Sequence, residues 1–363
     1  MTSRERVLAA LRHEATDRIP FSLGFGVNEY ARKQLAEYLG STMEKVEKTL
    51  LAASDLRWVS PRYIGPPSRD PKGDEEKPDI WGVSHKSVFN GFDSYYEISG
   101  YPLHGLGDTI SLEDHEFPSP DWFDYGSLKE RIQSANDDDE YAIVMGNGNI
   151  FETGWYMVGF EDMFALLLTD PELAYRLLEK VTDFYAAFFE RALTAAEGGI
   201  DIVFTADDIG QQNGLLMSLP LWEEILKPHH VRLNRLLHRF GVKVMYHTDG
   251  AVMDAVGGLV DMGIDVLEAI QFDAKGMDPV LLKRNWGDRL CFHGGVSVQS
   301  TLPFGSAEDV RREVRERIRV LGENGGYILA PSHAIQGGTP PENIIAFLEE
   351  AGRYPVESST GRH

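Results

Sequence analysis

Short apolar runs recur along the chain. Several are followed by a polar or glycine-bearing turn, and then by a longer stretch whose apolar residues return every three or four positions. The runs predict strands at Ile19–Phe25, Leu56–Ser60, Ala142–Gly146, Asp201–Thr205, Val242–Tyr246, Asp265–Ile270, Leu290–His293 and Tyr327–Ala330. Between them, Leu173, Leu177, Leu178, Val181, Phe184, Tyr185 and Phe188 predict a helix over Pro171 to Ala196, entered through the capping residue Asp170 and a proline in the first turn. Similar spacing predicts helices over Pro220 to Phe240, Val252 to Met262, Ala307 to Leu321 and Pro341 to Ala351.

Eight strands alternating with helices in 363 residues fit an α/β fold of the (β/α)8, or TIM-barrel, type better than an open sheet. In such barrels chemistry gathers at the C-terminal ends of the strands. Those ends carry Asp207 and Asp208, His247 and Asp249, Glu268, His293, and Ser332 with His333. In His247-Thr248-Asp249-Gly250 the imidazole and the carboxylate sit two positions apart, so in an extended strand both point to one side, as a divalent metal such as zinc requires. The structural alternative is a turn in which Asp249 bonds local backbone and His247 is a core histidine.

The segment from Tyr63 to Phe123 breaks the alternation. It holds Pro66-Pro67, the charged stretch Asp70 to Lys77, and Trp81, Phe89, Phe92, Tyr95 and Tyr96 in a β-like context. We read residues 63–123 as an insertion, an aromatic-rich lid near the barrel mouth, within a single barrel domain over 1–354 followed by a disordered tail at 355–363.

Composition then narrows the function. With 57 acidic against 35 basic residues the formal charge is -22, which argues against nucleic acid as a partner. The start, Met1-Thr2-Ser3-Arg4-Glu5-Arg6, lacks a signal-peptide core and no run is long enough to span a membrane, so a cytoplasmic protein with no membrane partner is expected. The single cysteine, Cys291, excludes an intrachain disulfide and any multi-cysteine metal site, and its place in a strand makes it buried packing.

Four stretches carry a family likeness: Ser3 to Leu11 with Asp17-Arg18-Ile19-Pro20; Asp207-Asp208 through Gly214-Leu215-Leu216-Met217-Ser218; His247 to Gly250; and Phe292-His293-Gly294-Gly295-Val296 running on to Ala330-Pro331-Ser332-His333 and Thr339-Pro340-Pro341-Glu342-Asn343. With them the chain resembles the uroporphyrinogen decarboxylase superfamily, which also includes corrinoid-linked methyltransferases. The resemblance implies a (β/α)8 barrel. The decarboxylase branch has an arginine-bearing signature after the first strand to hold a polycarboxylate. Here the corresponding residues are Gly24-Phe25-Gly26-Val27-Asn28-Glu29-Tyr30, so decarboxylation of uroporphyrinogen is not expected. The methyltransferase branch holds zinc through a His-X-Cys pair and a later cysteine. By resemblance His247 matches the histidine, while Asp249 and His333 stand where the two cysteines would be.

This exchange of thiolates changes the metal's charge. One imidazole and two thiolates leave zinc near zero, whereas His247, Asp249 and His333 would leave about +1, a harder Lewis acid. Such a metal suits polarising the oxygen of a methyl ether rather than activating a thiol. The expected function is therefore a zinc-dependent methyltransferase of the O-demethylase type. It would move a methyl group from a methoxylated, plausibly aromatic, small molecule to a corrinoid supplied by a partner protein, because the chain has no Asp-X-His-X-X-Gly corrinoid motif.

Glu152 is a candidate proton donor or fourth ligand, or else a cap for the helix near Trp155; Asp208 is a candidate for bonding substrate or orienting a ligand, and Asp207 for capping the turn that follows it. Phe151, Trp155, Tyr156 and His293 are candidate substrate contacts, with core packing as the alternative for the aromatic residues. Two other readings stay open: a cofactor-free decarboxylase or lyase acting on a small acid through His247, Asp208 and Asp249, and a non-catalytic barrel that binds a corrinoid or metabolite. Apolar helix faces are compatible with a homodimer.

Overall fold

The computed structural model describes residues 1–69, 78–89 and 94–353. The expected tail at 355–363 and the charged stretch Asp70 to Lys77 lie outside them.

Seven of the expected strands form one parallel sheet in chain order: Leu56–Trp58, Ala142–Asn149, Ile202–Ala206, Lys243–His247, Val266–Ala269, Cys291–Val296 and Tyr327–Pro331. The eighth does not. Ile19–Phe25 makes only an isolated bridge at Phe21 to Leu329, because the chain turns at Gly24, whose φ is 56°. That short segment still joins the two edges of the sheet. Ser22 N–H donates to the Leu329 carbonyl at 2.9 Å, Leu329 N–H to Pro20 at 2.9 Å, and Asp55 N–H to the Phe21 carbonyl at 2.8 Å. The result is a TIM-barrel-like fold with one wall reduced to a few backbone bonds.

Asp55 anchors this seam. It is fully buried, accepts the Phe21 N–H at 2.8 Å and pairs with Arg6 at 3.0 Å and Arg18 at 2.7 Å. Burial pushes its carboxyl upward, but Arg18, Arg353 and the Phe21 N–H outweigh it and hold the group below the ordinary aspartate range.

The helix Pro171–Ala196 forms as expected: the Asp170 carboxylate accepts the Leu173 N–H at 3.0 Å, and the stripe of Leu177, Leu178, Val181, Phe184 and Phe188 is buried. The stretch expected as one helix over Pro220 to Phe240 is instead broken into Leu219–Leu221, a wide turn at Trp222–Leu226 and the helix Lys227–Arg239. Pro228 has no N–H for the preceding turn, which explains the break.

Side chains inside the barrel alternate along each strand, so two layers follow from the register. At the N-terminal ends, Leu56, Ala142, Val144, Ile202, Met245, Val266, Cys291 and Ile328 form an apolar floor, plugged by Val7 and Leu11 of the helix Ser3–Leu11. At the C-terminal ends, His247, Glu268 and His293 stand side by side on three neighbouring strands. Outside the barrel, the ends of the 63–123 segment are zipped together, with Arg62–Tyr63 pairing antiparallel to Phe123–Asp124. Within it, Ser84–Phe89 and Ser94–Gly100 form a hairpin, while Trp81 packs on Phe184 and Tyr185 of the long helix at 5.0 and 5.6 Å.

Candidate metal centre

His247 ends the strand Lys243–His247 and is 6% exposed. Its Nδ1 faces Glu268, a carboxylate buried within the apolar strand Val266–Ala269, at hydrogen-bonding range. A proton on Nδ1 held by Glu268 leaves the Nε2 lone pair free, and this is how a carboxylate orients a metal-ligating imidazole. Nε2 points to Asp208 at 3.7 Å and Asp249 at 3.8 Å, too far for hydrogen bonds.

His247, Asp249 and His333 each bring a ligand atom within 4.8 Å of the others. A tetrahedral zinc ion with bonds of about 2.0–2.1 Å sets its ligands roughly 3.3–3.5 Å apart, so small side-chain shifts complete the set. Three further observations fit a cation here. Asp249 Oδ1 is buried with no hydrogen-bond partner. Burial and the neighbouring Asp208 and Glu268 push the Asp249 carboxyl up to about 7 against the opposing pull of His247, so that one imidazole does not offset the burial and the crowding of acids. At His333, burial and the charge of His247 hold the imidazole below its usual range, which keeps it neutral and able to donate a lone pair. Burial alone would keep His247 neutral as well, yet Glu268, Asp249 and Asp208 raise it, so metal entry must displace a proton.

The strand and loop contacts show why these residues meet. Asp208 Oδ1 accepts the Asp249 N–H at 2.7 Å and so fixes the backbone of a candidate ligand. Gly250, with φ 86°, turns the chain back against Gln211, where a side chain would collide with backbone atoms at 2.7–2.8 Å. His293 is 2% exposed, its Nδ1 3.6 Å from Glu268 Oε1. Glu268 therefore stands between two imidazoles.

A second cluster faces the same opening. Glu152 lies in the first turn of the helix Phe151–Val158, its carboxylate accepting from Asn149 at 2.6 Å and Tyr156 at 3.1 Å. Burial, then the carboxylates of Asp207 and Asp208, push its carboxyl up to about 8, so it carries a proton through neutral pH. Asp207 does not cap the turn after it. It caps the Glu152 helix instead, accepting Phe151 N–H at 2.9 Å and Glu152 N–H at 2.8 Å, and it is held from behind by His230 Nε2 at 2.5 Å.

The aromatic candidates divide. Phe151 is fully buried, edge-on to Phe164 at 5.7 Å, and so belongs to the core rather than to a pocket wall. Trp155 is half-buried against Tyr156 and Phe160, and Tyr156 serves Glu152. The ring beside both candidate histidine ligands is Phe25, its centroid 4.9 Å from His247 and from His333, with Phe204 6.0 Å from His247. The sequence reading gave no site role to Phe25, Glu268 or His230. Glu268 carried a signal, since an acid flanked by Leu267 and Ala269 in a strand must find a partner; a histidine pair inside an amphipathic helix was a weaker one.

The uroporphyrinogen decarboxylase (URO-D) family model matches residues 113–354. The chain belongs to that family. The match takes in every barrel strand except Leu56–Trp58 and the bridge at Phe21. A methylated-thiol–coenzyme M methyltransferase of Methanosarcina mazei is 28% identical over 207 residues, 57% of this chain and only 52% of that protein's length. A uroporphyrinogen decarboxylase of Pseudoalteromonas atlantica is 20% identical over 294 residues, 75% of this chain and 76% of the relative. A solved structure of a methyltransferase from Methanosarcina mazei superposes with a TM-score of 0.69, covering 97% of this chain and 98% of that one at 17% identity, a likeness of fold.

Proposed function

We propose that this URO-D family protein is a methyltransferase that takes a methyl group from a methoxylated small molecule and delivers it to a corrinoid carried by a partner protein. The observation that carries the reading is the pair of opposed devices at one opening: an imidazole presented to Asp249 and His333 by a buried carboxylate, and a protonated carboxyl at Glu152. The likeness to a Methanosarcina mazei methyltransferase supports it. So does the loop at Gly24-Phe25-Gly26, which sets an apolar ring, not an arginine, against the two histidines.

His247, Asp249 and His333 would hold zinc, and when bound it would polarise the donor's ether oxygen. Glu268 keeps His247 in the tautomer that faces the opening, and Asp208 keeps Asp249 in place. Glu152 holds the proton that the departing oxygen takes as its bond to the methyl carbon breaks and the methyl group passes to the corrinoid nucleophile.

The test is direct. Zinc-loaded protein and a reduced corrinoid protein are supplied with a panel of methyl ethers, with a thiol as alternative acceptor. Ether demethylation that disappears in His247→Ala and His333→Ala, together with the zinc, supports the reading. Thiol methylation with the ethers untouched reverses the direction, and metal-free protein active on a small carboxylic acid returns the lyase reading.

A further inference from the structure

The first amides of a helix have no carbonyl of their own helix to bond. At Phe151 and Glu152 both are taken by the Asp207 carboxylate, at 2.9 and 2.8 Å, so the backbone that presents Glu152 to the opening hangs on Asp207. The backbone of Asp207 is fixed in turn by the neighbouring strand, its N–H donating to the His247 carbonyl at 3.1 Å and its carbonyl accepting the Tyr246 hydroxyl at 3.2 Å. Asp207 is 1% exposed, and a carboxylate that deep needs a strong partner. Among the described residues no lysine or arginine is bonded to it. The side chain that is bonded is His230, whose Nε2 lies 2.5 Å from the same oxygen that accepts the Phe151 N–H.

His230 is as deeply buried as Asp207, its ring edge-on to Tyr246 at 5.1 Å. The neighbouring His229 is buried too but faces elsewhere: its Nδ1 meets the Thr182 hydroxyl at 3.2 Å and its ring lies against Tyr175 at 4.4 Å. Successive residues of a helix point about 100° apart, so one imidazole packs on the long helix Pro171–Ala196 and the other serves Asp207. The wide turn at Trp222–Leu226 just before them sets that rotation, because a residue added to a turn swings the face that follows. Without His230 the buried Asp207 would turn toward water or take a proton and lose an acceptor site, and either change loosens the start of the Glu152 helix.

We propose that His230 is a positioning residue for Glu152: its imidazole holds the Asp207 carboxylate against the Phe151 and Glu152 amides, and those amides fix where Glu152 meets the departing oxygen. The role rests on the methyltransferase reading, but the anchoring it requires is measured without turnover. Hydrogen exchange resolved to single amides is followed in the zinc-loaded protein, and methyl transfer from a panel of methyl ethers to reduced cobalamin gives kcat and KM. In His230→Ala the Phe151 and Glu152 amides should exchange at least about tenfold faster and kcat should fall about tenfold to a hundredfold, with KM and zinc content unchanged. His230→Gln, whose amide N–H can donate to Asp207 in place of Nε2, should restore the protection and most of kcat. Should His230→Ala not fold, Asp207→Asn removes the buried charge and leaves one acceptor oxygen, so it should lose the same protection and rate. His229→Ala should lower stability and leave both amides and kcat as they are. Amide exchange or kcat unmoved in His230→Ala and Asp207→Asn, no recovery in His230→Gln, or an equal loss of kcat in His229→Ala overturns the proposal. A wild type that takes methyl from none of the ethers would sink the methyltransferase reading, and the exchange contrast between His230→Ala and His230→Gln would still decide the anchoring.

Discussion

The two ends of the barrel interior are built on the same strands and could hardly differ more. At one end Leu56, Val144, Ile202, Met245 and Val266 close over Val7 and Leu11, and the Cys291 thiol among them is pushed up to about 12 by burial and so left inert. At the other, one or two residues further along the strands, His247, Glu268 and His293 are equally buried. The difference teaches how a sheet tolerates buried charge: Glu268 stands between His247 and His293 and Asp207 beside His230, while Asp249 keeps a buried oxygen without a hydrogen-bond partner. The lower end contributes stability by area removed from water; the upper end gives up some of it for chemistry.

That contrast can be broken in graded ways. The largest effect should come from Glu152→Gln, which keeps shape and removes the transferable proton: turnover should fall by about 10² to 10⁴, with zinc content and unfolding unchanged. In the wild type the needed form is the protonated one, so activity should hold below pH 8 and decline as pH rises through the Glu152 value of about 8. A flat rate across that range, with chemistry shown to limit turnover, would remove Glu152 from the proton path.

Next in size is Glu268→Ala. It strands His247 and His293 and should lower unfolding free energy by about 3–5 kcal/mol, while weakening zinc about 10- to 100-fold. Urea unfolding and zinc titration check the two parts. Leu11→Ala, at the opposite end, should cost about 2–5 kcal/mol by the same unfolding measurement yet leave zinc affinity alone. If it loosened zinc as much as Glu268→Ala, the two layers would not be the separate units described here. The smallest change is Asp170→Ala at the cap of the long helix, about 0.5–2 kcal/mol of stability and none of activity.

Much of the site was legible in the chain, for reasons that are local. His247 and Asp249 are two residues apart and lie at a strand end, so alternation alone places both at one opening. Glu152 lies just past a strand, and its position at a helix start follows from the same pattern. Phe151 shows the limit. One residue from Glu152 on the same helix, it points the other way, into Phe164, and helical rotation of roughly 100° per residue decides that. The expected first strand shows another limit: its composition is strand-like, but Gly24 and the wall formed by Leu329 and Asp55 reduce it to a bridge.

By itself, then, the sequence determined which elements form and in which order, because period, caps and breakers act over a few residues. It also determined which ionisable residues stand at strand ends. Only the tertiary structure decided the partners: Glu268 behind His247, His230 behind Asp207, and Phe25 across from His333, a separation of more than three hundred positions closed by two loops in contact. Those pairings set protonation, tautomer and exposure. They depend on distances through space, which no pattern along a chain encodes.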